Sequence, residues 1–113
     1  MSVNLEIFQD TIGYKIKAME LFQLALTHPS SCQTPNSVEN NQRLEFLGDA
    51  VLGLIMALEL YNNFPEMDEG ELTKARARYV NGYVLACCAR KINLGKYLIL
   101  SPAEEQNGGR DRE

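Results

Sequence analysis

The segment Asn41-Gln42-Arg43-Leu44-Glu45-Phe46-Leu47-Gly48-Asp49-Ala50-Val51-Leu52 sets two carboxylates, Glu45 and Asp49, four residues apart in an otherwise apolar run. In a helix that spacing puts both on one face, about 40° apart. Like charges so placed destabilise a helix by roughly 0.2–0.5 kcal/mol. The flanking Leu44, Phe46, Leu47 and Val51 predict partial desolvation of the pair, which raises that cost. A bound divalent cation would offset it. Mg²⁺ is typically held by one or two carboxylates together with water and phosphate oxygens, so hard-cation binding is the chemistry this pair suits. The plainer reading is a solvated acidic stripe on an amphipathic helix, and spacing alone does not separate the two.

Other groups carry weaker signals. Lys74, Arg76 and Arg78 form the densest basic cluster. Lys74 and Arg78 share a helix face, and Glu71 is placed to pair with Lys74. The cluster reads as a solvated face or as a set of phosphate contacts. His28, the only histidine, stands at a helix end before Pro29 and reads as a structural hydrogen-bonding residue. General-base work would require a partner at hydrogen-bond distance. Cys32, Cys87 and Cys88 are odd in number and lack a C-x-x-C spacing. Helical neighbours point about 100° apart, so these read as reduced thiols with no zinc site.

Several elements must position these groups. Val3, Leu5, Ile7, Phe8 and Ile12 predict a short opening helix, with Asn4 as cap and Gly13 as stop. Met19 to Leu26 predicts a second helix, ended by Thr27-His28-Pro29. Ser30 to Asn41 reads as a polar loop, the least ordered stretch by composition. From Gln42 to Tyr61, the residues Leu44, Leu47, Val51, Leu54, Ile55 and Leu58 fall on one helical face. Leu52 and Met56 lie elsewhere around it, which predicts a helix buried on several sides. Gly48 and Gly53 each cost a helix interior about 1 kcal/mol relative to alanine. They predict close approach of another helix, within the domain or across a dimer.

Asp68 or Glu69 opens a charged helix that runs to about Val80, and Asn81-Gly82 interrupts it. An apolar helix follows, with Val84, Leu85, Cys88 and Ile92 as its inward face and Asn93-Leu94-Gly95 as its stop. Tyr97 to Leu100 suits either a short strand or a new helix, and Ser101-Pro102 breaks it. The tail from Ala103 to Glu113 reads as flexible. No pair of alternating strands emerges, so the expected fold class is all-α.

The chain has 113 residues, 45% of them hydrophobic, which suits one globular domain. Its net charge of −4 argues against a stand-alone nucleic-acid clamp. A metal-dependent nuclease is compatible with it, because such a site concentrates carboxylates. The first ten residues lack the pattern of a signal peptide. The longest apolar run, Ala50 to Leu58, is far below the ~20 residues a spanning helix needs. A cytoplasmic protein with no membrane association is the expectation.

The run Arg43-Leu44-Glu45-Phe46-Leu47-Gly48-Asp49-Ala50-Val51-Leu52 resembles the ribonuclease III signature almost letter for letter. Leu26-Thr27-His28 with Ser30 is similar to an earlier family motif, and Asp68-Glu69-Gly70-Glu71-Leu72-Thr73 with Arg76-Ala77 to a later one. Gly108-Gly109-Arg110 resembles the segment leading into the family's last catalytic helix. The resemblance implies an all-α, homodimeric endoribonuclease domain that cleaves double-stranded RNA in RNA processing, rRNA processing included. It implies Mg²⁺, or Mn²⁺ in its place, as cofactor.

By the same resemblance Glu45 and Asp49 are catalytic, metal-binding carboxylates, and Glu69 is an additional acidic position. Phe46 is a dimer-interface aromatic, and Lys74, Arg76 and Arg78 are candidate RNA contacts. Gln42 stands where the family usually has glutamate, and an amide cannot supply that charge. The family's other two catalytic acids are expected beyond Glu113. Residues 1–113 therefore read as a catalytic domain incomplete at its carboxyl end, inactive alone, with no double-stranded RNA-binding domain. The alternative is a non-catalytic ribonuclease III-like module that binds RNA or a protein.

Overall fold

The computed structural model describes residues 5–31 and 39–111, with Asp111 described in its backbone alone. The expectations for Val3, Asn4, Cys32 and most of the polar loop lie outside the described residues. The order is α1 (Leu5–Ile12), α2 (Met19–Ala25), a 3-10 turn (Pro29–Ser31), α3 (Gln42–Asn63), α4 (Glu69–Tyr79), α5 (Gly82–Lys91), α6 (Leu94–Tyr97), α7 (Pro102–Gln106) and a 3-10 turn (Gly109–Asp111). The fold is all-α, as the sequence implies. Extended pairing among the described residues is one parallel bridge between Thr27 and Ile99.

Local chemistry accounts for most boundaries. Asp68 opens α4 through a capping box: its side chain accepts from the Glu71 amide at 2.8 Å, and the Glu71 carboxylate accepts from the Asp68 amide at 3.2 Å. Glu71 thus turns back to the helix start rather than toward Lys74. Asn81 both ends α4 and caps α5, accepting from the Val84 amide at 3.0 Å. Asn93, at φ +55°, makes the left-handed turn after α5. Ile92 packs against the core beyond it, whereas Leu85 and Cys88 are exposed, so the inward face of α5 is narrower than its apolar pattern predicts.

The core joins the two ends of the described chain. Phe8 of α1, Leu26 after α2 and Tyr97 of α6 are buried together, with Leu5, Phe22, Ile92, Leu94 and Leu98 around them. Phe8 stacks on Phe22 at 5.7 Å between ring centroids and meets Tyr97 at 4.6 Å. Such aromatic pairs contribute about 0.5–1.5 kcal/mol each beyond buried area.

The long helix departs from expectation. Among the residues of α3 only Leu60 is buried, and Phe46, Leu47, Val51, Leu54, Ile55, Leu58 and Tyr61 are all exposed. Open grooves separate its first half from α2 and its second half from α4. The radius of gyration, 16.3 Å, exceeds the roughly 13 Å of a compact domain this long. Gly48 and Gly53 face open space, so no helix of the described residues approaches them.

The tail also differs, because it is built rather than loose. Ser101 accepts from the Glu104 amide at 3.1 Å, and Pro102 occupies the first turn of α7. Arg110 then folds back. Its Nη1 donates to the carbonyls of Gly95 (2.8 Å) and Leu98 (2.6 Å), and its Nε donates to Glu105 Oε1 (3.0 Å). The carbonyls at the end of α6 thereby gain a cationic donor, that of Gly95 in addition to the Leu98 amide from which it already accepts.

Two predictions follow from this clamp. A Cβ on Gly95 would lie 2.5 Å from the Arg110 carbonyl oxygen, and backbone cannot yield cheaply. Gly95→Ala should cost about 1–3 kcal/mol of stability, read as a lower midpoint in urea. Hydrogen bonding from Arg110, then its charge, holds the Glu105 carboxyl below its ordinary 4.5. Its contribution is therefore present above that value and lost as pH falls through the lower folded value. Glu105→Gln should flatten the acid limb of stability against pH below 4.5; an unchanged limb would show the pair contributes nothing.

Candidate functional site

The candidate site is built on the entry to α3. Asn40 is buried, and its Oδ1 accepts from the Gln42 amide at 2.9 Å. The Asn41 amide donates to the Thr27 carbonyl at 2.9 Å, and its side-chain Nδ2 donates to the Ala25 carbonyl at 3.1 Å. The start of the helix is thus fastened to the turn after α2. That turn is held in its own right: His28 Nδ1 accepts from the Ser30 amide at 3.0 Å, the structural role read from sequence. The Ser30 hydroxyl accepts from the Ser101 amide at 3.0 Å.

From this anchored start, Glu45 and Asp49 rise one helical turn apart. Glu45 lies in the first turn, where the helix dipole favours an acid. Both side chains are exposed, contrary to the desolvation their neighbours predict. The reason is that those neighbours are themselves in solvent, Phe46 82% exposed and Leu47 58%. The groove beside α2 is lined by Leu44, Leu47, Gly48 and Val51, and that beside α4 by Leu54, Leu58 and Tyr61. The two carboxylates line neither groove and form a free acidic edge.

Among the described residues no group of three or more His, Cys, Asp or Glu side chains is gathered as a metal site would require. Glu45 and Asp49 nevertheless fit a hard cation in kind. They are oxygen donors on one edge, open to water, and Mg²⁺ keeps several waters when held by one or two carboxylates. Glu69 does not join them. It begins α4 and lines the groove beside Leu54, Leu58 and Tyr61, along the second half of α3.

Lys74, Arg76 and Arg78 are all exposed on α4. Arg76 turns toward the groove shared with α3, so the three do not form a single stripe. Sequence reading missed the roles of Asn40 and Asn41. An asparagine pair directly before an apolar helix is a capping signal, and here its partners are 16 residues back at Ala25 and 14 back at Thr27.

No helix among the described residues is long and apolar enough to cross a membrane. A family profile described as Ribonuclease-III-like matches residues 18–113. The chain is 58% identical over 94 residues to Ribonuclease 3 of Syntrophomonas wolfei, covering 83% of this chain and 40% of that protein. It is 47% identical over 113 residues to Ribonuclease 3 of Pasteurella multocida, covering all of this chain and 48% of that one. It spans less than half the length of these relatives. In structure it is similar to the nuclease domain of ribonuclease III from Campylobacter jejuni, described as flexible in a region involved in dimer formation. The TM-score is 0.89 at 41% identity, covering 96% of this chain and 73% of that domain. With its signature helix, its all-α order and a profile match over most of its length, the chain belongs to the ribonuclease-III-like family.

Proposed function

We propose that this chain is the catalytic domain, or most of it, of a metal-dependent endoribonuclease that hydrolyses phosphodiester bonds in double-stranded RNA. The observation that carries this reading is the free edge on α3, where Glu45 and Asp49 stand one turn apart within the family signature. The relatives that this chain matches carry the name Ribonuclease 3. Glu45 and Asp49 would hold Mg²⁺, or Mn²⁺ in its place. When bound, the cation supplies an acidified water and a counter-charge to the phosphate. Lys74, Arg76 and Arg78 supply positive charge from α4 to the duplex backbone, which is read mainly by shape and phosphate contacts. Glu69 contributes from the neighbouring groove.

Homodimerisation belongs to the same proposal. Phe46 is an aromatic ring 82% exposed, and Gly53, seven residues on, lies on the same side of the helix with nothing within 4 Å of where a Cβ would stand. A second copy packing there would give both features a physical reason. The alternative, a non-catalytic module that binds RNA or protein, is favoured by one observation: the described residues gather no third acid at the pair.

Two experiments decide between these readings. A gel assay on duplex RNA with Mg²⁺ should show little or no cutting by the 113-residue chain and clear cutting by a form extended through the family's last helix. In that form Glu45→Gln or Asp49→Asn should lower the rate by roughly 10²-fold or more, because a loosely held cation no longer aligns water and phosphate. Neither change should lower the melting temperature, since both carboxylates are exposed. Cutting unaffected by either variant would refute the catalytic assignment, and an extended form that binds duplex without cutting would establish the non-catalytic one.

Sedimentation tests the dimer. Phe46→Ala should weaken self-association while leaving the isolated fold intact. Gly53→Ala should stabilise the single chain by about 1 kcal/mol yet also weaken association. A chain that remains monomeric at high concentration would sink the interface assignment.

A further inference from the structure

A second concave site lies at the far end of α5, between α6 and the last helical turn. It is a cavity of about 570 Å³, within the range of small-molecule sites, roughly 300–1,000 Å³. Its charged lining is Arg90, Lys96, Arg110 and Glu105, with Asn93 beside them and small Ala86 and Ala89 walls. Arg110 and Glu105 neutralise one another through their 3.0 Å ion pair. Arg90 and Lys96 have no ion-pair partner among the described residues. The recess therefore keeps two uncompensated positive charges in a chain whose net charge is −4. The negative end of α5 gives a local reason for Arg90. Lys96 in turn stands in the last turn of α6, where a cation is likewise favoured, and its Nζ lies 5.9 Å from the centroid of the Tyr97 ring. Asn93, whose left-handed turn links the two helices, adds a neutral amide to the lining.

We propose that this cavity binds the phosphate of a small phosphate monoester, such as a mononucleotide, with Arg90 and Lys96 as its charged contacts. A guanidinium and an ammonium group lining one recess suit the several acceptor oxygens of such a group. A recess of about 570 Å³ has the volume of a small-ligand site. The site is separate from the acidic edge of α3, since neither Glu45 nor Asp49 lines it. Its occupancy is independent of whether the chain cuts RNA.

The test is an amide NMR titration of the 113-residue chain, without divalent cation, using inorganic phosphate, adenosine monophosphate and a short RNA duplex in separate arms. Saturable shifts at Asn93, Gly95 and Lys96 with a Kd at or below about 1 mM are expected for the small ligands. Equal affinity for phosphate and nucleotide would assign free phosphate as the source, and tighter nucleotide binding would assign the monoester. Arg90→Ala and Lys96→Ala should each weaken binding roughly tenfold or more, as loss of a charge-assisted hydrogen bond does. Lys15→Ala, outside this cavity, should not. Both cavity residues are exposed, so the variants should retain the wild-type circular dichroism. Absence of saturable shifts, unchanged affinity in both variants, or equal shifts at every surface cation would overturn the proposal. Binding at these residues by duplex alone would overturn it too, in favour of a backbone contact.

Discussion

The pairing of Leu26–His28 with Ile99 is the constraint on which the rest of the structure depends. The Ile99 amide donates to the Leu26 carbonyl and the His28 amide to the Ile99 carbonyl, each at 2.9 Å. Two hydrogen bonds thus bring segments more than 70 residues apart into register, with Ser101 added through the Ser30 hydroxyl. Each bond contributes only about 0.5–1.5 kcal/mol net. Their effect is nonetheless larger than their energy suggests, because the residues beside them also hold the start of α3, the tail and the core. Thr27 receives Asn41 and so sets the origin of α3. Leu98 receives Arg110 and so sets the path of the tail. Leu26 completes the aromatic core with Phe8 and Tyr97.

The second governing fact is that α3 is held at its start and near its end but remains bare between. An apolar helix in water forgoes roughly 25 cal/mol for each Å² it could bury. Exposed Phe46, Val51, Leu54, Ile55, Leu58 and Tyr61 together make a patch larger than single surface hydrophobes explain. It is the face on which the proposed pairing with a second copy rests. Glu45 and Asp49 share the same helix, so the acidic edge and the apolar face are locked in fixed relation by helical geometry. Whatever covers one face also determines what surrounds the other.

Charge is distributed to the same end. The chain is acidic overall, yet its cations are placed in groups: Lys74, Arg76 and Arg78 on α4, and Arg90, Lys96 and Arg110 around the α5–α6 junction. Electrostatic attraction between exposed groups fades over about 8–10 Å at physiological salt. Local groups therefore act on a ligand more strongly than the net charge does. An acidic total coexists with two local groups of cations.

What the sequence determined by itself was whatever local spacing controls. The all-α class, the span of α3, the start of α4 at Asp68 or Glu69, the turn at Asn81-Gly82 and the shared edge of Glu45 and Asp49 all follow from interactions within a few residues. The role of His28 was legible for the same reason, since its partner Ser30 is two residues away. Burial was not legible. The apolar pattern of α3 predicted a covered helix and a desolvated acid pair, but a pattern records which face prefers contact and not whether a neighbour supplies it. The tail failed for a related reason. Its glycines and charges resemble a linker, and only the folded chain brings the Gly95, Lys96 and Leu98 carbonyls to Arg110. Tertiary structure likewise decided that Glu69 stands apart from the acid pair, because the distance between two helices depends on packing that no spacing within either one encodes.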